Sequence, residues 1–515
     1  MGVDGALRTA VYEWYMPMPS TGRTPVAVST VALLAALRQG QIGTGVDAAI
    51  NSATPPRTPL VGACSVHLFS VARLGYKPGM PSTRTASPPP TLPPAALLAY
   101  AAAHFGKSLL WYTAELLLIF ALTEYVGLGA IAAGVSVAGG LVVSAVMGVF
   151  AAKRWSAGAS LAWAGRSQWR GIALAAVALS LVFVTPAFPP DIRLISVLLL
   201  SLPFRAAYAI GDVAQNTLLG MGHWPWHGAR GVSALRLIGS GLAALLVSAA
   251  IGLLLKDGTH TAASTALMIV ALSGSIALLS AWWLRQTLQR HVHVLASAAT
   301  PPSAPRWQRD QLLPLAVIAA LALALPTFTK LAPYLAQSRM GSAGWGSAVL
   351  IAYALGSVVV QPLAARWPTV AMRRLGVSGA ALAALGLVFA MAVSRHTVLD
   401  ASLAFGMGLA AGSAGQWVWA RHAELASRHS PAQQARGFAA LTATAQLALA
   451  AGSALIGLLL GASDYRSGHN AHLAWAMALG PMICGVLCVL IAWTGSTFVM
   501  SGKRRSVAAL PSRHV

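Results

Sequence analysis

Apolar residues along this chain come in long runs from about residue 95 to residue 495. They show neither the strict alternation of a half-buried strand nor the narrow stripe of a soluble helix. Twelve segments stand out, at roughly 96–121, 127–151, 170–188, 193–220, 233–255, 263–284, 312–335, 346–365, 376–394, 399–420, 437–461 and 472–496. Each approaches or exceeds the roughly 20 residues a helix needs to cross the hydrocarbon core of a bilayer. A backbone in hydrocarbon must satisfy its own hydrogen bonds, so each segment is predicted to be α-helical. The 27-residue stretch 285–311, with Arg285, Arg290, Arg306, Arg309 and three prolines, divides the segments six and six. The expected fold class is an all-α membrane protein of twelve transmembrane helices in two six-helix halves, residues 93–284 and 312–498. A tail, 499–515, follows.

Residues 1–92 break the pattern. They hold the run Ser87-Pro88-Pro89-Pro90-Thr91-Leu92-Pro93-Pro94 and scattered arginines, and their longest apolar stretch, Val26–Leu37, is too short to span a bilayer. The region reads as a disordered cytoplasmic extension. Met80, just ahead of the first segment, offers a later translational start.

Composition agrees with the pattern. The chain is 57% hydrophobic and 9% charged over 515 residues, whereas a soluble domain carries roughly 25% charged residues. A net charge of +23 would suggest nucleic acid binding in a soluble protein. Here the basic residues fall in short connections between apolar segments, which is where inner-membrane topology places them, and no nucleic acid partner is expected. Twenty Lys and Arg lie in the connections on one side, against five on the other (Arg193, Lys256, Arg339, Arg395 and Arg466). That bias places both termini in the cytoplasm of a multi-pass inner-membrane protein. The cysteines, Cys64, Cys484 and Cys488, offer neither a metal spacing nor a disulfide framework. Neither a metal nor a cofactor is expected, and the chain reads as a monomer.

Two connections occupy equivalent places in the two halves. Gly148-Val-Phe-Ala-Ala-Lys153-Arg154 follows segment 2, and Pro362-Leu-Ala-Ala-Arg366 with Arg373-Arg374 follows segment 8. They resemble degraded copies of the loop signature of the major facilitator superfamily, Gly-x-x-x-Asp-Arg with trailing basic residues, with Ala152 and Ala365 near the acidic place. Segment 1 carries Tyr100-Ala-Ala-Ala-His104-Phe105-Gly106-Lys107-Ser108, then Leu122-Thr123-Glu124-Tyr125-Val-Gly127. This is similar to the opening of the glycoside–pentoside–hexuronide:cation symporter family within that superfamily. Arg230-Gly-Val-Ser-Ala-Leu-Arg236-Leu-Ile-Gly239-Ser-Gly241, and Ala435-Arg436-Gly437-Phe438 through Gly452-Ser453-Ala454 and Gly457, resemble that family near its segments 5 and 11. The resemblance implies a sugar or glycoside carried with a cation. The family's cation site uses acids in segments 1, 2 and 4. In this chain His104 replaces the first, and segment 2 has no Asp or Glu from Leu128 to Val149, so sodium coupling is not carried over.

Ionisable residues inside spans are costly and commonly functional. At 100° per residue, His104, Lys107, Trp111 and Glu115 share one face of segment 1. Arg205, Tyr208 and Asp212 share a face of segment 4, and Lys330, Tyr334 and Gln337 a face of segment 7. The facilitator fold lines its central cavity with segments 1, 4, 7 and 10, where Gln416, Trp417 and Trp419 complete the set. Candidate substrate ligands are therefore Lys107, Trp111, Arg205, Tyr208, Lys330, Tyr334, Gln337 and Gln416. Candidate proton carriers are His104, Glu115 and Asp212. The plainer alternative for each charge is a static brace between helices, and for His104 a hydrogen-bonded core histidine. Arg230 and Arg236 read as anchors or loop-gate ion pairs. Trp224 and its neighbours His223, Trp226 and His227 read as an interfacial aromatic belt.

The chain has no Gly-x-x-x-x-Gly-Lys-Ser/Thr phosphate loop and no nucleophile–base pair in a connection, so it does not read as an enzyme. The expected function is secondary transport of a small polar solute, an organic anion or a glycoside, driven by protons. Amphipathic efflux is the next alternative, and a membrane-embedded transferase or a non-transporting receptor would be another class.

Overall fold

A computed structural model of the chain describes residues 92–155, 160–222, 224, 228–254, 259–290, 309–340, 342–369, 371–393, 396–462 and 471–508. The extension assigned to 1–92, apart from its last residue, lies outside them. So do the alternative start at Met80, most of the 285–311 linker, His223, Trp226, His227 and the end of the tail.

Among the described residues, twelve helices are long and apolar enough to cross a membrane. Spans 1 to 6 are Pro94–Glu124, Ala130–Trp155, Leu161–Ala187, Pro190–Met221, Gly228–Gly252 and Ala263–Gln289. Spans 7 to 12 are Asp310–Ser338, Gly344–Arg366, Met372–Ala392, Thr397–Ala426, Pro431–Ala462 and His472–Ser496. Many exceed their apolar segments by a turn or more, because a helix continues through the polar headgroup layer where hydropathy no longer marks it. Span 3 begins nine residues earlier than its segment, so Arg166 and Arg170 are exposed helix residues, not loop residues. The last helix is described as far as Ala508, taking in the start of the expected tail.

The helix contacts repeat with a period of six. Spans 1–5, 1–6, 2–4, 3–4 and 3–6 pack together in the first half, and 7–11, 7–12, 8–10, 9–10 and 9–12 in the second. The halves meet chiefly where span 2 lies along span 11 and span 5 along span 8, with spans 4–11 and 5–10 adding to the seam. Small residues allow the closest of these approaches. A Cβ on Gly134 would stand 2.7 Å from Gly457 Cα, a distance real side chains do not reach. Without a hydrophobic drive between helices in lipid, such close backbone packing is what holds the seam.

Large apolar side chains such as Leu98, Val146, Leu174, Leu279, Val377 and Trp493 point outward, as lipid contact requires. Cys484 and Cys488 are both fully buried, which places them in the core. The linker end of the bundle is the end where span 1 begins and span 6 closes, and the far end is its opposite.

Candidate functional site

Span 1 is the keystone of the interior. Pro93 caps it and Pro94 opens it, costing no hydrogen bond at that position. The helix runs to Tyr112, widens into a single π-helical turn at Thr113–Leu117, and resumes at Leu118. Isolated π-turns inside α-helices concentrate at functional positions, and this one carries Glu115.

Glu115 is held from two sides. Arg205 Nη1, on span 4, donates to Oε1 at 2.7 Å, and Lys330 Nζ, on span 7, lies 2.8 Å from Oε2. Lys330 also donates to Ser453 Oγ on span 11 at 2.9 Å. One carboxylate thus ties spans 1 and 4 of the first half to span 7 of the second, with Lys330 extending the tie to span 11. The Arg205 guanidinium lies 5.5 Å from the centre of the Trp111 ring and 5.1 Å from that of Phe204. Gly140 on span 2 makes room for it, since a Cβ there would stand 2.9 Å from Arg205 Cγ.

A second pair lies toward the linker end. Lys107 Nζ meets Asp212 Oδ1 at 2.5 Å, and Asn216 Nδ2 donates to Asp212 Oδ2 at 2.9 Å. One turn before Lys107, His104 Nε2 sits 2.9 Å from Ser240 Oγ and accepts from Arg236 Nε at 3.2 Å. The Arg236 guanidinium lies 3.3 Å from the ring centre of Trp419 on span 10. Arg236 is two turns inside span 5 and buried, so the expectation of a loop anchor is corrected: a charge that reads as a span terminus is an interior group. Its neighbour Arg230 does form an exposed ion pair between the halves, 3.4 Å from Glu424 on span 10.

These groups surround a cavity of about 350 Å³ between the halves. Of the expected site residues, His104, Lys107, Trp111, Glu115, Tyr208, Asp212 and Lys330 line it. Arg205 stands behind Glu115, holding it. Tyr334 lies outside the lining near the far end, its hydroxyl 2.9 Å from Thr123 Oγ1 on span 1. Gln337 is exposed at the end of span 7. Gln416 is buried away from the cavity, accepting at 2.7 Å from Arg374, which also clasps the carbonyls of Ala364 and Ser413. The second arginine of the loop after span 8 thus turns into the bundle and ties spans 8, 9 and 10. Trp417 donates to the Thr369 carbonyl, so of the three span 10 candidates only Trp419 reaches the cavity.

Sequence reasoning missed Arg236, Ser240, Asn216 and the span 11 residues Thr442 and Gln446, which also line the cavity apart from Asn216. Arg236 was hidden by its closeness to the end of an apolar run, and the amides and hydroxyls carry no signal above background. Asp400, buried at the start of span 10, takes the Trp345 indole N–H at 2.8 Å and lies outside the cavity lining.

Around the cavity, among the described residues, four buried cations, Lys107, Arg205, Arg236 and Lys330, therefore face two carboxylates, Glu115 and Asp212. Aromatic rings stand between them, with Trp111 and Tyr208 tilted against each other, their centroids 5.1 Å apart. Buried charges need partners, and these are arranged around a space that could hold a solute.

Comparison with solved structures places this architecture. The chain is similar to the human organic anion transporter MFSD10 (TETRAN), with a TM-score of 0.53 and 13% identity over 78% of this chain and 100% of the other. It is likewise similar to the proton:xylose symporter XylE bound to 6-bromo-6-deoxy-D-glucose, with a TM-score of 0.54 and 13% identity over 78% and 96%. No protein-family model matches the chain, and no curated protein matches it in sequence. The fold is that of the major facilitator superfamily. Membership of the glycoside–pentoside–hexuronide family has no further support from these comparisons.

Proposed function

We propose that the protein is a secondary transporter of a small organic anion across the inner membrane, with both termini cytoplasmic, coupled to protons through Glu115. The observation that carries this reading is the buried carboxylate of Glu115, shared between Arg205 of one half and Lys330 of the other at the wall of the central cavity. A proton on Glu115 cancels the charge that holds both cations, so protonation and the seam between the halves are linked. Contacts between the halves exist at both ends, Arg230–Glu424 at the linker end and Thr123–Tyr334 at the far end. An alternating-access cycle would break these in turn. His104 accepts from Arg236 and acts in this reading as that arginine's positioning partner, which leaves Glu115 and Asp212 as the proton carriers.

The excess of cations favours an anionic solute, and the Trp111, Tyr208 and Trp419 faces suit its apolar body. The same faces suit a sugar ring, which supports a neutral glycoside as the second reading. Purified protein in proteoliposomes tests both. An inward proton gradient should drive accumulation of a labelled organic anion, and Glu115→Gln should abolish accumulation. Flux that depends on sodium and ignores pH would sink the proton reading.

A further inference from the structure

Three of the four buried cations around the cavity already touch a carboxylate: Lys107 meets Asp212, and Arg205 and Lys330 share Glu115. Arg236 does not. It is buried, lines the cavity, and among the described residues forms no ion pair. Its Nε is used by His104, and its Nη1 is buried without a hydrogen-bond partner. The Trp419 face against it offsets only a small part of what a guanidinium loses on leaving water. Ser240 Oγ also lines the cavity, and its own bonds run to His104 Nε2 at 2.9 Å and Ser108 Oγ at 3.0 Å.

We propose that Arg236 is the anchor for the anionic group of the solute, a carboxylate or phosphate, with Trp419 as the platform for the solute's apolar body. This rests on the transport reading and deepens it. A planar guanidinium with a free edge matches two acceptor oxygens, and one negative charge there brings the carboxylates nearer to balance with the cations. Arg236 stands on span 5 and Trp419 on span 10, so an anion held at Arg236 sits at the seam between the halves, where its presence can differ in value between conformations. His104, fixed by Ser240, keeps the guanidinium oriented.

The test uses acetate, benzoate and phenyl phosphate as anions, with methyl benzoate and phenyl glucoside as neutral counterparts. In wild-type protein in nanodiscs, phenylglyoxal modification of Arg236 is mapped by mass spectrometry. Benzoate or phenyl phosphate should protect Arg236 and raise the melting temperature, and methyl benzoate should do neither. Arg236→Gln should weaken anion binding about ten- to hundredfold and weaken phenyl glucoside binding far less, while Arg236→Lys should keep part of the affinity. Failure of all three anions at millimolar concentration to protect Arg236 overturns the proposal, and so does unchanged anion affinity in Arg236→Gln. If that variant does not fold, the protection experiment decides alone. Anion flux that survives Arg236→Gln sinks the subsite and leaves the transport reading standing. Protection of Arg236 without any anion flux sinks the transport reading and leaves the subsite standing.

Discussion

Replacing Glu115 by Gln keeps the size of the side chain and removes the one charge that faces two cations, at 2.7 Å and 2.8 Å. Removing one partner of a buried ion pair typically costs about 3–5 kcal/mol, because the other charge is left stranded in a medium of low dielectric. In a bilayer the unfolded chain finds polar partners too, which trims ordinary hydrogen bonds to about 0.6 kcal/mol on average. Stranded cations gain less from that relief, so the lower end of the range, about 3 kcal/mol, is expected for Glu115→Gln. Lys330→Met placed in the same chain removes one of the two stranded charges and should restore a third to a half of the loss. Reversible denaturation in mixed SDS micelles, run on the wild type, both single variants and the double variant, gives the coupling energy of the cycle. A coupling of about 1–3 kcal/mol is expected for groups in direct contact. Additivity within about 0.5 kcal/mol would refute the pairing of Glu115 with Lys330, and a single-variant cost below about 1 kcal/mol would refute the low-dielectric reasoning. In proteoliposomes, Glu115→Gln should retain solute exchange and lose proton-driven accumulation, since a neutral amide cannot cycle a proton.

Gly140→Leu drives a branched side chain into the Arg205 stem and should cost about 1–3 kcal/mol by overpacking, read in the same denaturation; an unchanged midpoint would remove span 2 from the site. Tyr334→Phe deletes the bond to Thr123 at the far end, worth about 0.5–1.5 kcal/mol, and should raise thiol labelling of a cysteine placed at Ser108. Unchanged labelling would mean that contact does not close the cavity. Arg374→Gln leaves the Ala364 and Ser413 carbonyls and the Gln416 amide oxygen without their donor and should lower stability while sparing anion affinity in the folded fraction; a selective loss of affinity would return Gln416 to the binding site. Reporter fusions after Gly127, Thr259 and Asp464 should all report the periplasmic side, and cytoplasmic signals from two of them would overturn the orientation.

The number, place and helical state of the spans were legible in the sequence, because hydrocarbon imposes a length and an obligatory backbone pairing on every crossing segment. The helical faces of spans 1, 4 and 7 were legible too: the 100° step put Lys107 and Glu115, Arg205 and Asp212, and Lys330 on stripes that do converge. Which charges pair was not. Lys107 joins Asp212 and Arg205 joins Glu115, although both partners of each residue lie on the same facing stripes, and only the axial register of one helix against another selects between them. Register also sends Gln416 and Gln337 away from the cavity and brings Arg236 into it. Periodicity assigns a residue its angle about its own helix axis. Its depth, and the partner it meets there, depend on tilt, on the π-turn at Glu115 and on small-residue contacts such as Gly134 against Gly457, all of which arise only once the helices have packed.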